Sequence, residues 1–251
     1  MEFDKDFEDR YFSSRLGKIH YKEHIGDGDK IVLIHGLAVN VRTWRKFVPF
    51  LPEEMHVVLV DLLGHGLSAA PDIDYSVFVQ ADLLNDLLTD KKLLDSFIMG
   101  HSYGGWIAAM HAIRGYKSSG IILEDAAGMK EYFDDMITAN IREERRKQLI
   151  DDAITLKGNA SVIRSILEDD FENDSEHLTG GMLSKIHLPT MIVWGENDQR
   201  ISLRYGKLLK ERIRNSRLEI IPGAEHTPHY THPKEVVSVL LGFIGIKNLM
   251  P

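Results

Sequence analysis

The sequence predicts an α/β protein: a mostly parallel central sheet with helices on both faces, interrupted late by a helical insertion. Three observations predict it. Short apolar runs recur along the chain, as in IVLI (31–34), VVLV (57–60) and GIIL (120–123), and continuous apolar runs suit strands buried on both faces. Segments with helical spacing alternate with them, as at Phe78, Ala81, Leu84, Leu87 and Leu88. The third is position: residues with chemical potential stand just past the ends of the apolar runs, where sheets of this kind bind their ligands.

Taken in order, residues 11–14 and 18–25 read as a hairpin, and Gly26-Asp27-Gly28-Asp29 is turn chemistry. The strand at 31–34 ends in His35-Gly36. A helix is expected over 43–50, closed by Pro52, before the strand at 57–60. Asp61 and the loop LLGHGLS follow, with Asp61, Gly64 and Gly66 expected to form a structural turn. A helix is predicted over Val77–Asp90. Phe97 to Met99 is the next strand and Gly104 through Arg114 the next helix, with Trp106 in its core. After the strand at 120–123 the composition changes. Residues 129–186 are rich in charge and lack an apolar strand run, and read as several helices with breaks at 158–159 and 180–181. The strand pattern resumes at 189–194 and 218–221, with helices at about 202–213 and from Pro233 to Ile244. The domain reading is therefore a core of 1–128 and 187–251 with 129–186 inserted.

Composition excludes several function classes. The net charge of -8 argues against a nucleic-acid or membrane-surface binder. There are no cysteines, hence no disulfide, thiolate metal site or cysteine nucleophile. The acidic opening MEFDKDFEDR has no apolar stretch of the signal-peptide kind, and no run approaches the ~18 apolar residues of a membrane span. A soluble cytoplasmic protein is expected.

Chemistry concentrates around GHSYGG (100–105). A G-x-S-x-G placed between a strand and a helix holds Ser102 on a strained turn, with glycine at 100 and 104 making room for neighbouring backbone. The N–H of Tyr103 opens the helix and points at whatever Ser102 attacks. A serine hydroxyl needs a base, and His226 is the candidate, with Asp198 orienting its imidazole. His229 and His232 are rival bases, and Asp125 or Glu124 rival acids. The His35-Gly36-Leu37 turn offers a second N–H, at Leu37, for a tetrahedral oxyanion. His35 and His101 are expected to orient or pack. Metal-ligand spacing is absent, the histidines at 226, 229 and 232 having no matching carboxylates. Arg142, Arg145, Arg146 and Lys147, interleaved with Glu143 and Glu144, read as a solvated helix face. Met129, Tyr132, Phe133, Met136 and Ile137 form an apolar stripe that fits either plain packing or a pocket roof.

The stretches HGLAVNVRTW (35–44), DLLGHGLS (61–68), GHSYGG (100–105), LPTMIVWGENDQRIS (188–202) and IPGAEHTPHYTHP (221–233) resemble the α/β-hydrolase superfamily, over nearly the whole chain. The resemblance implies the α/β-hydrolase fold, with Ser102 as nucleophile, Asp198 as acid, His226 as base, and Leu37 and Tyr103 as oxyanion donors. It matches Trp44 to a frequent aromatic after the oxyanion loop, and 129–186 to a cap that roofs the substrate pocket. Trp44, Tyr132 and Met136 are thus the candidate substrate contacts. No cofactor and no metal are implied. Serine at 102 argues against the aspartate-nucleophile branches, and His101 with Tyr103 is the esterase and lipase style. The expected activity is a serine carboxylesterase acting on a small-molecule ester, as monomer or homodimer. Cleavage of carbon–carbon bonds in vinylogous diketones, or of lactones, on the same residues is the alternative. A binding protein that kept the fold and lost catalysis is the alternative of another class.

Overall fold

The computed structural model of the chain describes residues 1–138, 143–144, 147–148, 150–151, 159–172 and 174–247. Arg142, Arg145, Arg146, Gly158 and the side chain of Ile137 lie outside the described residues. The strands are β1 (Glu8–Ser14), β2 (Gly17–His24), β3 (Lys30–Ile34), β4 (His56–Val60), β5 (Phe97–His101), β6 (Gly120–Glu124), β7 (Thr190–Gly195) and β8 (Ser216–Ile221). They form one sheet in the order β1-β2-β4-β3-β5-β6-β7-β8. β1–β2 and β2–β4 pair antiparallel, and every pairing from β4 through β8 is parallel. This is the α/β-hydrolase fold.

Side chains alternate across the sheet even where a strand is apolar throughout. In β3, Val32 and Ile34 join the cluster of helices α1 (Val77–Asp90) and α2 (Tyr103–Ile113), while Ile31 and Leu33 face the opposite cluster. That opposite layer holds Trp44, Phe47 and the helix α8 (Pro233–Lys247). Both faces are therefore dry, which is why period-2 patterning is missing from the sequence.

Several expectations are corrected. The helix expected over 43–50 is two 3-10 turns, Val41–Lys46 and Val48–Phe50. Pro49 has no N–H to extend an α-helical ladder through this stretch. The Asn40 side chain caps the first turn by accepting from the N–H of Arg42 at 3.0 Å. β1 starts at Glu8, because its register against β2 continues to the pair Glu8↔Glu23. The glycines at 180–181 do not break a helix. They begin the short α5 (Gly180–Leu183), capped by Thr179.

Between β6 and β7 run α3 (Lys130–Thr138), α4 (Ala160–Glu172) and α5. The start of this segment meets the stretch just before α5, for Met129 and Leu178 form a parallel bridge and the N–H of Leu178 donates to the Gly128 carbonyl at 2.7 Å. It is tied to α6 (Leu203–Arg212) by Glu131–Arg212 at 2.6 Å and Asp135–Arg204 at 3.0 Å. Glu143, Glu144 and Lys147 are exposed. No described helix is long and apolar enough to cross a membrane.

Candidate active site

The strand ends bring the three candidate residues together. Ser102 follows β5 with φ +52°, a conformation strained for any residue with a Cβ. The turn is close enough that a Cβ on Gly100 would meet the Gly104 carbonyl, and one on Gly104 would meet the carbonyl oxygens of Ile34 and His35 at 2.5 Å. His226 stands in the loop after β8, and its Nε2 is 3.1 Å from Ser102 Oγ. Its Nδ1 is 2.8 Å from Oδ2 of Asp198, in the loop after β7. With Nδ1–H donating to the carboxylate, Nε2 of the neutral ring accepts from the serine hydroxyl.

Asp198 is a well-served anion. Its Oδ1 accepts from the N–H groups of Arg200 (2.7 Å) and Ile201 (3.0 Å). Burial works to raise its pKa, but the hydrogen bond and charge of His226 and these two N–H groups hold it below the ordinary carboxylate value. Asp125 is different. It is fully buried at φ +42°, and its Oδ1 accepts from the Gly195 N–H at 2.9 Å. Burial pushes its carboxyl well above the usual range, and the charges of Glu124 and Asp198 push the same way.

Neither rival acid pairs with His226. Glu124 belongs to His229: Oε2 lies 2.6 Å from its Nδ1 and Oε1 accepts its backbone N–H at 2.7 Å. His229 Nε2 in turn lies 2.9 Å from Thr43 Oγ1. His229 sits in α7 (Pro228–Thr231), a short helix with no expectation in the sequence, and its ring packs 4.3 Å from that of Trp44. His229 thus has a carboxylate partner as His226 does, which the spacing of 226, 229 and 232 does not reveal, because Glu124 comes from a distant strand end. Among the described residues, His101, Glu124 and His229 also bring ligand-type atoms within 4.8 Å. Glu124 and His229 are bonded to each other there, and His101 Nε2 donates to the His226 carbonyl at 2.7 Å, while the buried His101 Nδ1 has no hydrogen-bond partner. Burial, with His229 and His226 adding to it, keeps the His101 ring well below its usual pKa and thus neutral. His101 is an orienting residue for the loop that carries His226. His232 lies apart, bonded to Thr231 at 2.9 Å.

His35 shapes the opposite wall. Its Nδ1 donates to the Gly36 carbonyl at 2.7 Å and its Nε2 accepts from the Leu62 N–H at 3.1 Å. Because the peptide is planar and trans, a Gly36 carbonyl held toward His35 turns the Leu37 N–H the other way. Asp61 braces the same loop by accepting from Val41 (2.8 Å) and Leu67 (2.9 Å).

A cavity of about 530 Å³ opens over Ser102. Leu37 and Tyr103 line it beside Ser102 and His226, and Tyr132, Phe133 and Leu167 from the inserted helices complete it. Two expected contacts are corrected. Trp44 is fully buried in the layer beneath the sheet, and Met136 is buried in the packing of the insertion; neither lines the cavity. Trp106, expected in the core, is buried and also forms part of the cavity wall, with its Nε1 donating to the Glu176 carbonyl at 3.0 Å. Thr43 and His229 were missed as a linked pair; the HTPH spacing at 226–229, which sets two histidines on one turn, was the available signal.

The curated relatives include a pimeloyl-[acyl-carrier protein] methyl ester esterase of Aeromonas hydrophila, 25% identical with 89% of this chain and 98% of the relative covered. They also include the monoacylglycerol lipase ABHD6 of Mus musculus, 22% identical over 88% of this chain and 76% of the relative. Among solved structures, a membrane phospholipase A described as a bacterial virulence factor superposes with a TM-score of 0.80. It is 23% identical, with 97% of this chain and 87% of that one covered. Residues 31–239 match the model of the alpha/beta hydrolase family, and the chain belongs to that family.

Proposed function

We propose that the protein is a serine hydrolase of carboxylic esters. The observation that carries this reading is the hydrogen-bonded line Ser102–His226–Asp198, whose Ser102 and His226 line a largely apolar cavity. His226 takes the Ser102 proton as Oγ attacks the ester carbonyl carbon. The N–H groups of Leu37 and Tyr103 receive the oxyanion, each worth about 3 kcal/mol in the transition state. His226 hands its proton to the leaving alkoxide, and an acyl-enzyme remains. Water, deprotonated by His226, then attacks the acyl carbon, and the acid leaves as Ser102 recovers its proton. Residues 129–186 act as the cap, with Tyr132, Phe133 and Leu167 facing the acyl or alcohol group. The names of the esterase and lipase relatives agree with this class.

The test is hydrolysis of a p-nitrophenyl acyl series, acetate through palmitate, by wild type and Ser102→Ala. Turnover by the wild type and a loss of roughly 10⁴-fold or more in the variant are expected. Full turnover by Ser102→Ala sinks the assignment. A dienol-type diketone cleaved with a far higher kcat/KM than every ester would move the chain to carbon–carbon hydrolysis. Failure of an organophosphonate to label Ser102 in folded protein would revive a binding role.

A further inference from the structure

We propose that Asp125 is a positioning residue: it stands beside Asp198 as a neutral carboxylic acid and donates its hydrogen to the Asp198 carboxylate. Its consequence for turnover rests on the serine-hydrolase reading; the hydrogen bond itself rests on the orphaned Asp125 Oδ2, its closeness to Asp198 and the charges around the pair.

Asp125 follows β6 and is fully buried. Its backbone is pinned, with its N–H donating to the Val193 carbonyl at 3.0 Å, and it occupies the left-handed region at φ +42°. One carboxyl oxygen, Oδ1, accepts from the Gly195 N–H. The other, Oδ2, is buried with no hydrogen-bond partner. Ligand-type atoms of Asp125, Asp198 and His226 lie within 4.8 Å of one another.

The groups facing Asp125 decide its state. From its own strand comes Glu124, whose two oxygens are taken by His229. From the loop after β7 comes Asp198, and from the loop after β8 comes His226. Among the described residues no lysine or arginine forms an ion pair with Asp125. Two adjoining carboxylates without a cation repel in a dry site, and one proton between them removes the repulsion. Asp198 receives three N–H donors, from Arg200, Ile201 and His226, whereas Asp125 receives one. The proton, taken from solvent, therefore resides on Asp125. Placed on Oδ2, it satisfies the orphaned oxygen by donating to Asp198. Its effect is to draw electron density from Asp198, so that Asp198 holds the His226 imidazolium less tightly and the ring gives its proton back to the leaving group.

Two variants separate this role from mere packing. Asp125→Asn keeps an acceptor for Gly195 and a donor for Asp198, and asparagine tolerates left-handed backbone. Asp125→Ala keeps neither. The measurements are the pH profile of kcat/KM on a p-nitrophenyl ester, and the infrared difference spectrum of wild type against Asp125→Asn. Asp125→Asn should stay within about threefold of wild type with its acid limb in place. Asp125→Ala should lose about tenfold or more, with the acid limb moved to higher pH. The spectrum should contain the carbonyl stretch of a protonated carboxyl that the asparagine variant lacks. Absence of that band overturns the proposal, even if Asp125→Ala does not fold. So does an asparagine variant displaced as far as the alanine one, or an alanine variant indistinguishable from wild type. The band in a protein that cleaves no ester supports the hydrogen bond and counts against the hydrolase reading instead.

Discussion

Ser102 holds φ +52° because three carbonyls and two glycines crowd its turn, and its neighbours over-determine a conformation that costs on the order of 1–3 kcal/mol. Gly104 is one of its two close supports, since any Cβ there meets the end of β3. Gly104→Ala is expected to destabilise the fold by about 1–3 kcal/mol and to displace Ser102, read as a lowered Tm together with lost organophosphonate labelling. Residue type and order made Ser102, Asp198 and His226 legible as a set, because a serine, a carboxylate and an imidazole past three strand ends must converge on one edge. Trp44 was not legible in the same way. An aromatic in a loop carries no mark of which layer it enters, and the 3-10 turn around it rotates it away from the cavity and onto His229.

At the scale of elements, the alternation of apolar runs and amphipathic stretches was enough to place the central strands β3 to β7 and α1, since both faces of the sheet exclude water there, whereas β1 and β8 are half exposed. The 43–50 stretch misled because apolar spacing does not register a missing N–H at Pro49. The Glu124–His229 link was illegible, for its partners are separated by 105 positions and join only where β6 and α7 pack together. Both side chains are fully buried, so the pair is expected to be unforgiving. Glu124→Ala strips His229 of two acceptors and should cost about 3–5 kcal/mol, measured by urea denaturation. A variant of unchanged stability would show that His229 finds another acceptor.

For the whole molecule, the cavity is walled mainly by the loops at the strand ends, and Tyr132 and Phe133 of α3 with Leu167 of α4 complete it. Leu167→Trp should fill part of that space and move the acyl-chain optimum to shorter esters while sparing acetate, read as the ratio of kcat/KM for acetate and octanoate. Buried histidines make the fold acid-sensitive. Burial holds His65 at about 3 and His111 at about 4, below the ~6.5 of an unfolded histidine. A depressed folded pKa means stability that is complete above about pH 6.5 and lost as the pH falls toward the folded values. By pH 5 each withdraws about 2 kcal/mol. His35 and His101 are lowered by burial as well and act in the same direction. His20 acts oppositely: despite burial, Asp61 and Asp9 raise it. Tm should therefore drop between pH 7.5 and 5, and His65→Asn should flatten the drop; an unchanged slope would remove His65 from the account. The bridge between Met129 and Leu178 has a consequence for ancestry and engineering alike. The stretch from Met129 to Leu178 is closed by this contact, and lengthening or exchanging what lies between adds only slowly growing closure entropy without rethreading any strand. On the proposed function, the segment above Ser102 is the part that can be exchanged while the sheet and its strand-end loops stay as they are.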